Sequence, residues 1–151
     1  MFGIPQPAGD PIAYLTPDAQ HTVVFSGVDG KLYEVKFGDG FGLPTILRLS
    51  ALAPAAPLPV GDPHAYFDPN DGNDHILYRT SNGHLHELVL SNRKMRHTDL
   101  TTAVGTDPSA GKPFGYVFGA DNTEHVLFRS SKDGHVHDLT WQDLTSMVFV
   151  G

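Results

Sequence analysis

Nine histidines are spread through 151 residues, and four of them form two pairs of one kind, His84-x-His86 and His135-x-His137. In extended chain, side chains two apart share a face, so each pair presents two imidazoles side by side. That spacing suits a metal ion, or hydrogen bonding and stacking with a polar ligand. A third segment of the same kind reads Lys31-Leu32-Tyr33 and offers no imidazole. Packed sheets stand roughly 10 Å apart, too far for the two pairs to share one ion. No metal and no other cofactor is therefore expected. Catalytic signatures are missing too: there is no nucleophile elbow, no P-loop, no paired-carboxylate arrangement and no dinucleotide fingerprint. Gly38-Asp39-Gly40-Phe41-Gly42 is glycine-rich but lacks the strand-to-helix setting that phosphate binding needs. Asp10 and Asp62 each precede a proline, but the third corner of this type has Lys112, so no symmetric acid cluster forms. The chain is expected not to be an enzyme.

Composition narrows the classes further. Ten basic against seventeen acidic residues give a formal charge of −7, which argues against a face that neutralises nucleic-acid phosphates. With no cysteine there is neither a disulfide framework nor a thiolate metal site. Sixteen glycines and twelve prolines favour short strands and turns over long helices. Nothing approaches an 18-residue apolar run. Met1-Phe2-Gly3-Ile4-Pro5 does not read as an export signal, so a cytoplasmic location is the default expectation.

The elements that position these residues follow from an internal repeat. Gly9-Asp10-Pro11-Ile12-Ala13-Tyr14 returns as Gly61-Asp62-Pro63-His64-Ala65-Tyr66 and as Gly111-Lys112-Pro113-Phe114-Gly115-Tyr116. Val23-Val24-Phe25 matches Ile76-Leu77-Tyr78 and Val126-Leu127-Phe128, each leading to a polar turn that ends in Gly30, Gly83 or Gly134. Third strands follow at Lys31 to Glu34, His84 to Glu87 and His135 to Asp138, and looser fourth segments at Thr45 to Leu49, Met95 to Leu100 and Ser146 to Val150. Asn82-Gly83 and Asp133-Gly134 are the sharpest hairpin signals. The second strands are apolar without alternation, as in sheets covered on both faces. The Pro-rich stretch Ala51 to Pro63 matches Thr101 to Pro113 and reads as a crossing between repeats.

The fold class expected is all-β: a β-propeller with three four-stranded antiparallel blades per chain, repeats at about 9–60, 61–110 and 111–151 of a single unit spanning 1–151. Three blades leave two open sheet faces, and a homodimer would complete a six-bladed ring. A piece of a longer propeller chain is the alternative.

Around His75 to Glu87 the sequence resembles the fucose-specific propeller lectins, in which an apolar strand ending in Tyr is followed by Asn-Gly, an apolar residue and Glu. The resemblance implies sugar sites between adjacent blades, where an Arg and that Glu hydrogen-bond the sugar and an aromatic ring stacks on it. The acid falls on Glu34, Glu87 and Asp138, each two residues after an apolar position and so on the same strand face. The aromatic falls on Phe37 and Trp141, with Leu90 between. The Arg falls on Val23, Ile76 and Val126, while Arg79 and Arg129 lie three residues later on the opposite strand face. The candidate ligand-binding set is thus Glu34, Glu87, Asp138, His84, His86, His135, His137, Arg79, Arg129, Phe37 and Trp141. The expected function is multivalent, non-enzymatic carbohydrate binding, with a glycan as ligand and neither nucleic acid nor membrane as partner. A protein-interaction scaffold is the alternative.

Overall fold

The computed structural model describes residues 3–18, 20–38, 42–141 and, by backbone, 148–150. They form three four-stranded antiparallel sheets, each with its strands side by side in chain order. Sheet I holds β1 (Ile12–Leu15), β2 (His21–Ser26), β3 (Leu32–Phe37) and β4 (Thr45–Arg48). Sheet II holds β5 (His64–Asp68), β6 (Asn73–Arg79), β7 (Leu85–Ser91) and β8 (Lys94–Asp99). Sheet III holds β9 (Phe114–Phe118), β10 (Thr123–Arg129), β11 (Val136–Trp141) and β12 (Val148–Val150). Asp39, Gly40, Phe41, Ser146 and Met147 of the segments read from the sequence lie outside the described residues.

The sheets share one frame. Ala13 pairs with Val23, Ala65 with Ile76 and Gly115 with Val126. Val24 pairs with Glu34, Leu77 with Glu87 and Leu127 with Asp138. Each second strand runs into the third through a turn in which the glycine alone is left-handed (Gly30 φ 78°, Gly83 φ 82°, Gly134 φ 74°). Asn-Gly and Asp-Gly pairs suit a two-residue turn with both residues left-handed, but here Asn82 and Asp133 are not left-handed. Thr80 N–H donates to His84 O and Gly83 N–H to Thr80 O, so the turn bulges at the glycine and keeps Asn82 right-handed.

The crossings contain two one-turn helices that the proline count concealed, α1 (Leu49–Leu52) and α2 (Leu100–Val104). Each returns a hydroxyl to the sheet it leaves: Leu32 N–H donates to Ser50 Oγ and Leu85 N–H to Thr101 Oγ1, both at 2.9 Å. At the far end of each crossing the chain bonds the next second strand, with Val60 N–H on Arg79 O and Ala110 N–H on Arg129 O; Ala8 N–H holds Ser26 O in the same manner.

Sheets I and II bury Val24 and Leu32 against Ile76, Tyr78 and Leu88. Sheets II and III bury Tyr66, Leu77 and Leu85 against Val126, Phe128, Leu139 and Trp141. Close approach at the inner edges depends on small residues. A Cβ on Gly115 would lie 2.4 Å from Leu77 Cδ1 and 2.6 Å from Tyr66 Cε1. The outer face of sheet I packs Phe25, Tyr33 and Val35 under Ile4. Among the described residues nothing covers the outer face of sheet III: Val136, at the position of the fully enclosed Leu85, is 68% exposed, and Phe114 and Phe118 are exposed beside it.

Candidate functional site

Between sheets I and II a cleft of about 610 Å³ opens at the ends of the strands. Strand β3 supplies Glu34 and Lys36 to its floor, because alternation puts both on the face that Leu32 buries against sheet II. Asp74, near the start of β6, supplies the opposite wall. Asp18 and Asp71 come from loops, Leu47 and Leu90 give it an apolar side, and Arg93 stands at the rim. Arg93 is held there by the β7–β8 hairpin. With Ser91 paired to Lys94, the turn is Asn92-Arg93 alone, and both residues are left-handed (φ 47° and 63°).

The floor is an alternation of charge. Lys36 Nζ lies 3.2 Å from Asp74 Oδ2 and 3.8 Å from Glu34 Oε1. Burial raises the Glu34 pKa to about 7, with Lys36 opposing and Asp74 adding to the rise. For Lys36 burial alone would lower the pKa, but Glu34 and Asp74 outweigh it and hold the ammonium above its ordinary range. Burial and the same two carboxylates hold the Tyr14 hydroxyl well above the phenol range. Among the described residues, Glu34 Oε2, Asp74 Oδ1 and the Tyr14 hydroxyl are enclosed and have no hydrogen-bond partner. Beneath the floor, then, two enclosed acceptors and the enclosed Tyr14 hydroxyl are left unmatched among the described residues, a state that costs on the order of 1–3 kcal/mol per buried group.

The corresponding space between sheets II and III is filled by side chains. His75 Nδ1 lies 3.1 Å from Glu87 Oε2 and 3.5 Å from Glu124 Oε2, and His75 Nε2 lies 2.9 Å from Asp71 Oδ2. Tyr66 stacks on His75 and donates to Glu124 at 3.2 Å. Burial would lower the His75 pKa, but Glu87, Glu124 and Asp71 carry it to about 9. Burial, with Glu87 and Asp68 adding and His75 opposing, raises Glu124 to about 8. On the open face of sheet III the same positions hold Tyr116 stacked on His125, with His125 Nδ1 2.8 Å from Asp138 Oδ2.

Of the residues singled out from sequence, Glu34 alone lines the cleft. Glu87 is fully enclosed and engaged by His75, and Asp138 is half-buried beside His125. Trp141 is buried in the core between sheets II and III, where it offers no platform, and Phe37 is exposed on the face of β3 away from the cleft. Arg79 is half-buried and Arg129 exposed. His84 and His86 lie on β7 and its approach beside Asp99, His137 bonds Asp133 at 2.9 Å, and His135 is exposed. The two histidine pairs do not meet: the groupings whose ligand atoms lie within 4.8 Å of one another join His84 and His86 to Asp99, but His137 to Asp107 and Asp133. Sequence reasoning missed Lys36 and Asp74. The available signal was Lys36 standing two residues after Glu34 on one face; the crossing from Asp74 is a tertiary fact.

No protein-family model matches the chain, and no curated protein matches it. Among solved structures, a fucose lectin from Kordia zhangzhouensis, determined in complex with methyl-fucoside, superposes with a TM-score of 0.59 at 14% identity, covering 93% of this chain and 97% of that one. At that identity the likeness shows a shared fold.

Proposed function

We propose that the chain is a non-enzymatic, lectin-like carbohydrate-binding β-propeller whose sheets are blades and whose sugar site is the cleft between the first two. The observation that carries this reading is the cleft floor, where Glu34, Lys36 and Asp74 alternate in charge. Sugar hydroxyls donate and accept at once, so they fit such a floor, with Leu47 and Leu90 beside the apolar face of a ring. Lys36 supplies a cation to the cleft, whereas Val23, at the lectin-like Arg position, lies with Val35 on the other face of sheet I. The fold shared with a fucose lectin supports the class of ligand.

A second copy of the chain closes the ring to six blades in this reading. Its sheet I would cover sheet III of the first copy, bringing Ala13 to the place that Ala65 and Gly115 hold at the inner seams. His21, in the register position of Asp74 and Glu124, would then approach Asp138. A basic residue thus meets the acid of sheet III, as Lys36 meets Asp74 and His75 meets Glu124 within the chain. Repetition of the cleft around the dimer would add avidity.

The test is a glycan array followed by calorimetry on the bound glycans. Lys36→Met and Glu34→Gln should each weaken binding tenfold or more while the circular dichroism spectrum is unchanged. An array with no bound glycan, or binding indifferent to both substitutions, overturns the reading.

A further inference from the structure

Sheet II carries a second constellation, remote from the cleft. His84 and His86 lie along β7, and His97 and Asp99 along the neighbouring β8. His86 pairs across the strands with Asp99, and Leu88 with His97, so alternation puts all four side chains on one face. His84 Nδ1 is 2.8 Å from Asp99 Oδ2, and His86 Nδ1 is 2.8 Å from His97 Nε2. One ligand atom each from His84, His86 and Asp99 lies within 4.8 Å of the others. Leu90 lines the cleft, and His86 stands four residues before it, roughly 13 Å along the strand.

We propose that His84, His86, His97 and Asp99 form a binding site for one divalent transition-metal ion, zinc above all. Three imidazoles and a carboxylate, with no thiolate, are a ligand set suited to Zn²⁺ and Cu²⁺. In a tetrahedral site with bonds of about 2.0–2.2 Å, ligand atoms stand roughly 3.3 Å apart. The two 2.8 Å contacts need to open by about half an ångström, and His97, which touches His86 but stands outside the group of His84, His86 and Asp99, needs to swing in to join it. The contact between His86 and His97 requires that at least one of the two imidazoles be neutral, which is the ligating form.

The surroundings already hold these groups in place. Asp99 is the N-cap of α2, accepting from Thr102 N–H at 2.9 Å and from Thr102 Oγ1 at 2.8 Å. His86 is buried and stacked on Tyr78, with ring centroids 5.5 Å apart. His97 is exposed and His84 half-exposed, which leaves an entry path from solvent. Outer partners of this kind fix ring orientation and add to affinity.

The experiment is titration of the full chain, freed of metal by chelation and dialysis, with ZnCl₂ in a calorimeter, with Cu²⁺ electron paramagnetic resonance as a second readout. Wild type should take up one Zn²⁺ per chain and give a nitrogen-coupled Cu²⁺ spectrum. His97→Ala, at an exposed position, should abolish both signals without lowering the melting temperature of the metal-free chain. Thr102→Val keeps every ligand and should weaken Zn²⁺ binding about 10- to 100-fold. His135→Ala should change nothing. Absence of uptake by wild type, wild-type uptake by His97→Ala, or loss of uptake on His135→Ala overturns the proposal.

Discussion

Gly115 and Tyr66 meet with no room for one more carbon: a Cβ on Gly115 would lie 2.6 Å from Tyr66 Cε1, with Leu77 Cδ1 at 2.4 Å. Both neighbours are buried core residues, so neither can swing aside into solvent. Gly115→Ala is expected to destabilise the chain by about 1–3 kcal/mol, the cost of overpacking a close-packed core. Gly111→Ala, where a Cβ meets nothing within 4 Å, should cost far less. Denaturant unfolding of the two variants side by side checks this, and equal losses would contradict it.

Stability should fall as pH rises above neutrality. Folded His75 keeps its proton up to about pH 9, whereas the unfolded imidazole releases it near 6.5. The stabilisation from its carboxylate partners is therefore complete below about 6.5 and lost as pH passes through 9. Glu124 and Glu34, raised to about 8 and about 7 from 4.5, tilt stability in the same direction, since their folded forms retain a proton that the unfolded chain has released. Between pH 6.5 and 9.5 the unfolding free energy should drop by about 3 kcal/mol on account of His75. His75→Gln should flatten most of that slope, and a wild-type curve that is level or rising there would refute the assignment.

Arg93 occupies a left-handed position that glycine adopts at no steric cost. Replacing it by Gly turns Asn92-Arg93 into the Asn-Gly pair that this hairpin turn prefers. Stability should rise by about 1 kcal/mol, while binding of any glycan found on the array weakens because the rim loses its cation. Parallel thermal melts and calorimetry would show the two effects moving in opposite directions. Unchanged binding would remove Arg93 from the site.

The open face of sheet III sets the oligomeric state in the proposed ring. Light scattering on a size-exclusion column should give about 33 kDa, twice the 16.4 kDa chain. Val136→Arg, at a position 68% exposed in the single chain, should return the mass to that of one chain without loss of secondary structure. A wild-type monomer would refute closure by a second copy.

Much of the architecture was legible because it rests on short-range signals. Gly30, Gly83 and Gly134 mark the turns, and the apolar runs at Val23, Ile76 and Val126 mark the second strands, of which β6 lies between two sheets while β10 has an open outer face. The one-turn helices escaped notice because Pro54, Pro57 and Pro59 dominate the crossing, although Leu49–Leu52 just precedes them. At the site, the strand acids were found by spacing, and their fates were not. Glu34 reaches a cleft and Glu87 does not, because the residue facing Glu87 is His75, where sheet I has Thr22. Which side chain arrives from the next sheet, Asp74 or Glu124, depends on packing that one-dimensional spacing does not encode. His97 and Asp99 were likewise overlooked because the search for metal ligands looked across sheets, while the partners stand on the adjacent strand.

The hydroxyls of Ser50 and Thr101 tie each crossing to the first amide of the third strand behind it. A crossing cannot peel away without stripping the Leu32 or Leu85 amide of its hydroxyl acceptor at the strand's start, and both leucines are core residues. Amide protons at these two positions should therefore exchange with solvent on the timescale of whole-sheet opening, not of loop fraying. By the same coupling, proteolytic entry at either crossing has to wait until the sheet behind it gives way.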